Sequence, residues 1–280
     1  MTEISGTTRL ILLVGHPVDQ VRSPPVINPY LAAIDANTVV VPVEVAPGAI
    51  GAFFSFARAL KNCAGVSVTV PYKQAAFRAV DERTDRAARI GAVNFIRRES
   101  NGGFVGDMTD GIAFVEALAR HGHTPRGGRA VLAGAAGGAG AAIADALCAA
   151  GVATLALVDI DAGRTAERAR ILREAYPSVT VLEGWPDGLA PDLAVNASPM
   201  GMRPEDPLPL DLDRLSPSCV VADVVTKPNL TPLLVEAARR RHPIQTGNDM
   251  VDAQLEPQMR HLGLWREPVA AHAERTERVA

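Results

Sequence analysis

The sequence predicts an α/β protein of two domains, an N-terminal α/β domain with a mostly parallel sheet followed by a Rossmann-type dinucleotide-binding domain. Apolar runs of strand length alternate with helix-length segments in two separate series. The second series opens with a glycine-rich turn, "AGAAGGAG", and its next strand ends in an acidic residue. These three observations place the domains at residues 1–110 and 111–245.

The first series begins with "RLILLVG", a continuous apolar run that Gly15 and Pro17 terminate, as expected of a strand covered on both faces. Ser23 before two prolines marks the start of a helix in "SPPVINPYLAAI". Next come strands "TVVVPVEV" and "GVSVTVPY" and helices "PGAIGAFFSFARALKN" and "KQAAFRAV". This β-α-β-α alternation predicts a mostly parallel sheet with helices on its faces.

A linking helix, "GIAFVEALARHG", leads into the second series. Its strands are "RAVLAG", "VATLALVDID", "SVTVLEG", "DLAVNAS" and "CVVADVV", and helices "AAGGAGAAIADALCAAG" and "RTAERARILREAYP" follow the first two. The last segment, "GNDMVDAQLEPQMRHLGLW", is predicted to be helical, with its N-cap at Asn248 or Asp249.

The composition is that of a soluble globular protein, with 48% hydrophobic and 21% charged residues in a chain of 280. A formal net charge of -3 gives no electrostatic reason to expect nucleic acid or an anionic membrane as partner. The apolar run at residues 10–14 is too short for a signal peptide or a membrane span. We therefore expect a small-molecule partner and a cytoplasmic location.

Cysteine usage agrees with a reducing compartment. The three cysteines, Cys63, Cys148 and Cys219, are far apart and form no CxxC or Cys/His cluster. This pattern argues against a disulfide scaffold and against a zinc site. We therefore expect no metal.

The glycine-rich turn follows a predicted strand and opens a predicted helix, the place where backbone N–H groups can approach a pyrophosphate. Read without gaps, Gly137 and Gly140 take the second and third positions of GxGxxG, and Ala135 takes the first. With a one-residue insertion, Gly134 takes the first position instead. The alternative interpretation is a tight turn in an alanine-rich core.

Asp159 ends the next strand, about 20 residues after the glycines, where an acid accepts ribose hydroxyls in NAD sites. A carboxylate there would repel a 2′-phosphate, so the sequence favours NAD over NADP. Arg164 has three interpretations: it could reach a phosphate, stack beside adenine, or be a solvated helix residue. We expect NAD as the preferred cofactor, with NADP as the alternative.

Polar residues end apolar segments of the first domain. Lys73 follows "VSVTVP", Asn94 ends a short apolar strand predicted in "IGAVNF", and Asp107 and Asp110 lie in the Gly-bounded turn "VGDMTDG". Singly, these residues are typical of a solvated lysine, a turn and two helix caps. Together they indicate a polar substrate cleft near the domain junction.

The chain resembles the shikimate dehydrogenase family over essentially its whole length. The similar stretches are "GHPVDQVRSPPVIN", "GVSVTVPYKQAAF", "IGAVNF", "VGDMTDGIAFV", "NASPMGM", "DVVTKPNLTPLL" and "GNDMVDAQ". The resemblance implies reversible oxidation of the ring hydroxyl of shikimate or quinate to a ketone, with NADP or NAD. It also implies that residues 1–110 bind substrate and that residues 246–280 return to that domain. Family members occur as monomers and dimers.

The resemblance also assigns residues. It places the catalytic lysine, which acts as acid and base, at Lys73 and its partner aspartate at Asp110. Substrate-binding positions fall on Ser23, Thr69, Asn94, Gln254 and Thr226. The predicted cofactor positions include those of the glycine-rich turn and the strand end described above. They are Ala135, Gly137, Gly138, Ala139, Gly140, Asp159, Arg164, Asn196, Ser198, Met202, Val224 and Gly247.

Four positions depart from the family pattern. Val21 replaces the first serine that holds the substrate carboxylate, Ser67 and Met108 replace asparagines, and Thr226 replaces a tyrosine. Loss of one hydroxyl donor predicts weaker carboxylate binding, by about 1–3 kcal/mol. Arg22 or Lys227 could compensate.

Three rival functions are considered, and the departures at Val21 and Thr226 suggest the first of them. One is a dehydrogenase of a different polyol or an amino-substituted analogue, and another is a non-catalytic cofactor-binding paralogue. Retention of Lys73 and Asp110 argues against the paralogue. A folate-linked dehydrogenase is disfavoured by "TVPYK" and "GDMTDG".

Overall fold

The structure is a computed structural model that describes residues 3–19 and 21–267. The strands are β1 (Arg9–Gly15), β2 (Thr38–Glu44), β3 (Cys63–Val68), β4 (Glu82–Arg83), β5 (Phe95–Arg98), β6 (Phe104–Asp107), β7 (Arg129–Ala133), β8 (Thr154–Val158), β9 (Thr180–Glu183), β10 (Leu193–Asn196), β11 (Val220–Asp223) and β12 (Ile244–Gln245). The helices are α1 (Ser23–Ala33), α2 (Ile50–Ala59), α3 (Lys73–Ala79), α4 (Asp85–Ile90), α5 (Asp110–Arg120), α6 (Gly138–Ala149), α7 (Ala162–Ala175), α8 (Pro232–Arg239), α9 (Gly247–Ala253) and α10 (Leu255–Leu262).

The first sheet has the strand order β2-β1-β3-β5-β6-β4. Strand β1 runs parallel to β2 and β3, and β4 runs parallel to β6. Strand β5 is antiparallel to both of its neighbours, which the sequence did not reveal. The buried run on β1 fits its place in the interior of the sheet, because residues 11–15 are all buried between the helices on the two faces.

The second sheet has the order β12-β11-β10-β7-β8-β9, and all of its strand pairs are parallel. Numbered from β7, this is the Rossmann order, with a reversal of direction between β7 and β10. The predicted two-domain α/β fold is therefore confirmed. Ligands of such sheets bind beyond the carboxyl ends of the strands at the reversal, so the loops after β7 and β10 mark the expected cofactor site.

Helix α5 joins the two sheets and crosses α6 at very short range. A Cβ on Gly111 would lie 2.0 Å from the backbone oxygen of Ala142, so only glycine allows this approach. Helix α10 returns to the first sheet, where it contacts β5 and α1. The domain boundaries stay predictions, and the part of the predicted return at residues 268–280 lies outside the described residues.

Local details of the last predicted helix were wrong. The segment forms two helices, α9 and α10, and the N-cap of α9 is Thr246 instead of Asn248 or Asp249. The Thr246 side chain accepts from the backbone of Asp249, and the Asp249 carboxylate accepts in return from the Thr246 backbone. This reciprocal pair is a capping box, in which an acid three residues into the helix supports the cap.

Candidate active site

Lys73 is placed by the turn that follows β3. The backbone N–H of Thr69 donates to the Val14 oxygen at 2.9 Å, and that of Tyr72 donates to the Thr69 oxygen at 3.0 Å. The Tyr72 ring is buried, and its hydroxyl donates to the Val45 oxygen at 2.5 Å. This anchored turn starts α3 at Lys73, with its partly exposed side chain directed to Asp110.

Asp110 is buried and is the first residue of α5, where the helix dipole favours a carboxylate. Its Oδ2 accepts from the Nζ of Lys73, forming an ion pair. Its Oδ1 accepts from Asn94 Nδ2 at 2.5 Å and from Gln254 Nε2 at 3.1 Å. Three side chains from separate segments therefore fix the carboxylate.

Asn94 lies in the turn before β5, not at the end of a strand as predicted. Its Oδ1 accepts from the backbone N–H of Thr109 at 2.8 Å, so its amide nitrogen faces Asp110. The residue is 3% exposed, so this orientation is shielded from competing water.

A cavity of about 180 Å³ opens beside the Lys73–Asp110 pair. All seven residues predicted to be catalytic or to bind substrate line it: Ser23, Thr69, Lys73, Asn94, Asp110, Thr226 and Gln254. Val21, Arg22 and Ser67 line it too, whereas the exposed Lys227 is not among its lining residues. Of the two predicted compensating cations, the structure therefore brings Arg22 to the cavity.

Sequence reasoning missed four lining residues, Leu13, Val68, Val251 and Gln258. Val251, Gln254 and Gln258 are three and four residues apart, the spacing of neighbours on one helical face. Once Gln254 is placed at the site, this spacing is the signal that finds the other two.

The glycine turn after β7 resolves the choice between its two alignments. Gly134 has φ of +78°, and a Cβ there would lie 2.5 Å from the backbone nitrogen of Ser198. Ala135 has no exposed surface, and its N–H donates to the Val158 oxygen. Gly134 is therefore the first glycine, and the assignment of that position to Ala135 was wrong. Gly140 fits the third position, because a Cβ there would lie 2.0 Å from the Gly134 oxygen.

The first turn of α6 suits a pyrophosphate. In the part of the chain that the structure describes, the backbone N–H groups of Gly138, Ala139 and Gly140 donate no hydrogen bond. A Cβ on Gly138 would meet nothing within 4 Å, so open space adjoins this helix end, and Gly137 caps the helix. Unpartnered donors at a helix N-terminus bind phosphate groups, so these residues fit a dinucleotide.

Asp159 and Arg164 bracket the same loop. The Oδ2 of Asp159 accepts from the backbone N–H of Ala136 at 2.9 Å, and its Oδ1 accepts from that of Asp161 at 3.1 Å. Arg164 Nη2 donates to the Ala136 oxygen at 2.5 Å. The Asp159 carboxylate and the Arg164 guanidinium therefore both lie near the end of β8, where the sequence predicts the ribose site.

Buried hydrogen bonds of the Asn196 side chain fix the loop that follows β10. Asn196 has no exposed surface, its Nδ2 donates to Asp223 and to the Met200 oxygen, and its Oδ1 accepts from Ser198. Burial raises the pKa of Asp223, and donors from Val225, Thr231 and Asn196 oppose the rise. Both polar atoms of the Asn196 amide therefore bind protein partners, and the side chain serves to shape the loop.

The remaining predicted cofactor residues lie at the rim and floor of the same region. Ser198 is partly exposed, and Met202 is 58% exposed. Val224 continues the chain from β11, and its N–H donates to the Asn196 oxygen at 3.0 Å. A Cβ on Gly247 would lie 2.5 Å from the Val224 oxygen, so a glycine is needed where α9 meets this segment.

Two negative findings apply to residues 3–19 and 21–267. Within these ranges, no helix combines the length and apolar character needed to cross a membrane. The same ranges hold no group of three or more His, Cys, Asp or Glu side chains placed to bind a metal ion.

The structure has a Rossmann domain that α5 links to a second α/β domain, and the cavity of the second domain holds a lysine–carboxylate pair. This architecture is that of a dinucleotide-dependent oxidoreductase. The family profile described as the shikimate dehydrogenase substrate binding domain matches residues 13–96. A shikimate dehydrogenase (NADP(+)) of Rubrobacter xylanophilus is 42% identical over 246 residues, which cover 85% of this chain and 84% of the relative. The chain belongs to the shikimate dehydrogenase family.

Two solved structures are similar in fold. Shikimate 5-dehydrogenase from Listeria monocytogenes, in complex with shikimate and NAD, has a TM-score of 0.85 at 26% identity and 96% coverage of each chain. Quinate dehydrogenase from Corynebacterium glutamicum, in complex with NAD, has a TM-score of 0.81 at 28% identity. That likeness covers 91% of this chain and 93% of the quinate dehydrogenase. The resemblance inferred from sequence motifs is confirmed.

Proposed function

We propose that this protein reversibly oxidises a ring hydroxyl of shikimate, quinate or a related cyclic hydroxy acid to the ketone, with Lys73 as acid and base. The observation that carries the proposal is the Lys73–Asp110 ion pair in the wall of the cavity. Such a pair serves proton transfer, whereas a module that only binds its ligand has no need of it. Relatives named as shikimate and quinate dehydrogenases support the same reaction class.

In the proposed mechanism, the substrate hydroxyl lies within hydrogen-bonding reach of Lys73 and Asp110. When bound, the dinucleotide accepts or supplies the hydride. Neutral Lys73 takes the hydroxyl proton during oxidation, and charged Lys73 returns it to the ketone oxygen during reduction. Hydrogen bonds from Asn94 and Gln254 hold the Asp110 carboxylate in a fixed position. Asp110 can therefore orient both Lys73 and the substrate hydroxyl.

We assign the substrate carboxylate to Ser23 and Arg22. Both line the cavity, and Arg22 makes no ion pair within the described part of the chain. A guanidinium binds a carboxylate with charge-assisted hydrogen bonds, which are stronger than those of a neutral hydroxyl. Arg22 would thus offset the donor lost where Val21 replaces serine.

For the cofactor we propose a preference for NAD. The Asp159 carboxylate stands at the end of β8, where it would accept ribose hydroxyls and repel a 2′-phosphate. Among similar structures, two contain NAD and another contains NADP+, and the curated relatives are named for NADP, so the proposed preference rests on Asp159. The first-turn amides of Gly138, Ala139 and Gly140 would hold the pyrophosphate.

A second candidate substrate is a neutral polyol. The observation that favours it is Val21, an apolar side chain in the wall at the position of a carboxylate-binding hydroxyl. In this case Arg22 would remain in solvent at the cavity mouth.

The test is nicotinamide reduction by the purified protein against shikimate, quinate and shikimate methyl ester, each with NAD and with NADP. The proposal predicts turnover of the acids with NAD and a much higher KM for the uncharged ester. Equal KM values for shikimate and its ester would favour the neutral-polyol alternative. NAD binding without turnover of any of the three would contradict the proposed reaction.

A further inference from the structure

We propose that Gln258 is a positioning residue that holds the side-chain amide of Gln254 with its NH2 group toward Asp110. The inference deepens the proposed function and rests on it for the importance of Asp110. Gln258 lies on α10, and it lines the cavity while being only 2% exposed. It does not touch Lys73 or Asp110 through any hydrogen bond of the described chain.

The side chains form a relay of hydrogen bonds. Gln258 Nε2 donates to Gln254 Oε1 at 3.1 Å. Gln254 Nε2 donates to Asp110 Oδ1 at 3.1 Å, and Lys73 binds the other carboxylate oxygen. The relay thus leads from α10 to the acid–base pair.

The chemistry of the partners fixes the direction of each amide. A carboxylate only accepts hydrogen bonds, so Gln254 must present its NH2 group to Asp110. Its carbonyl oxygen then faces Gln258 and needs a donor, so Gln258 must also present its NH2 group. Turning either amide around would set two acceptors against each other.

Holding Gln258 in this direction leaves a buried acceptor without a partner. Gln258 Oε1 makes no hydrogen bond among the described residues, and it has almost no accessible surface. A buried acceptor without a partner lowers stability, and a methionine of similar shape would avoid that loss. A glutamine here is therefore explained by what its NH2 group does for Gln254.

Gln254 needs such support because of where it lies. It is the residue between α9 and α10, and it ends one helix as it caps the next. Its side chain reaches across to the first turn of α5. Without the bond from Gln258, only the Asp110 carboxylate would hold this amide, and the Gln254 side chain would move more freely about that single bond.

The first experiment replaces Gln258 with methionine. Gln258→Met should lower kcat/KM for the hydroxy acid about fivefold or more through the lost orientation of Gln254. It should leave the thermal midpoint unchanged or raise it, because the unpartnered acceptor is removed. A residue with only a structural role would show the opposite, a lower midpoint with unchanged kcat/KM.

Gln245→Met is the matched control. Gln245 is 1% exposed, its Nε2 donates to the Phe114 oxygen at 3.3 Å, and its Oε1 has no partner in the described chain. It resembles Gln258 in burial and bonding, but it lies on β12 and does not line the cavity. Its replacement should leave kcat/KM unchanged.

A double-mutant cycle tests whether Gln258 acts through Gln254. In a Gln254→Ala background, Gln258→Met should cause no further loss of kcat/KM. An equal fractional loss in both backgrounds, or no loss from Gln258→Met alone, would overturn the proposal.

A second readout does not depend on turnover. By NMR of the resting protein, the side-chain NH2 protons of Gln254 should exchange slowly in the wild type and in Gln245→Met, and faster in Gln258→Met. Unchanged exchange in Gln258→Met would overturn the inference. A wild-type protein that turns over none of the candidate substrates, while Gln258→Met speeds exchange, would contradict the proposed function and support the positioning.

Discussion

Arg89 and Asp145 join the two domains through a bidentate ion pair, with Nε to Oδ1 at 2.6 Å and Nη2 to Oδ2 at 3.0 Å. Arg89 belongs to α4 and Asp145 to α6. The Tyr176 hydroxyl donates to the same carboxylate, and Arg168 of α7 donates to the backbone oxygen of Arg89. This cluster fixes the relative position of the sheets on which the cleft depends.

Arg89→Ala should lower the free energy of unfolding by about 2–4 kcal/mol, because the Asp145 carboxylate would remain buried without its cation. Chemical denaturation measures the change. Arg170→Ala is the control, since Arg170 also makes a bidentate ion pair, with Glu167, but on the exposed face of α7. That variant should show no measurable change, and equal losses in the two variants would contradict the importance of burial.

The buried Asp107 should make the free energy of unfolding depend on pH in the acid range. Burial alone would raise the pKa of Asp107, but hydrogen bonds and charge from Arg86, with help from Thr84 and His261, lower it below the ordinary value of 3.8. A carboxyl with a lowered folded pKa stabilises the fold above its unfolded pKa and loses this contribution as pH falls through the folded pKa.

Asp107→Asn should therefore be less stable than the wild type at pH 7, and the difference should shrink as the pH falls below 3.8. Urea unfolding from pH 7 down to pH 3 provides the comparison. Two parallel stability curves would show that Asp107 does not titrate with a lowered pKa.

Much of the fold follows from local sequence patterns. The strands β1, β7 and β8 are continuous buried runs, and Lys73, Asn94 and Asp110 each adjoin the end of an apolar segment. Because the carboxyl ends of strands that run in the same direction meet at one edge of a sheet, the approach of Lys73 and Asp110 was predictable. Asn94 reaches the same edge because it precedes the antiparallel strand β5. The assignment of these residues to roles required the family resemblance.

Other features depend on contacts between distant segments. The antiparallel direction of β5 depends on its pairing with β3 and β6, and Gly134 is required by its contact with Ser198. The link from Gln258 to Asp110 spans the chain from α10 to α5. Contacts between distant segments leave no periodic pattern in the local sequence, so these partners could not be predicted from the sequence.

Gly138→Ala should weaken cofactor binding without harming the fold. A Cβ there meets no protein atom within 4 Å, but it would enter the space proposed for the pyrophosphate. The KM for NAD should rise about tenfold or more with an unchanged thermal midpoint. Gly51→Ala, near the start of α2 and equally free of contacts, should change neither quantity, and an unchanged KM in Gly138→Ala would argue against this phosphate site.

Asp159→Asn should shift the cofactor preference toward NADP. Asparagine keeps an acceptor for the Ala136 N–H but removes the charge that would repel a 2′-phosphate. The ratio of kcat/KM for NADP to that for NAD should rise about tenfold or more, since each 1.4 kcal/mol of lost repulsion is a factor of ten. A ratio equal to that of the wild type would show that Asp159 does not select the cofactor.

Lys73→Ala is the decisive variant for the proposal that Lys73 carries the proton. We predict a loss of kcat of about 10²–10⁴ with unchanged NAD affinity, measured by steady-state turnover and equilibrium binding. Lys61→Ala, which removes an exposed lysine, should retain wild-type kcat. A Lys73→Ala protein that turns over at the wild-type rate would rule out Lys73 as the acid and base.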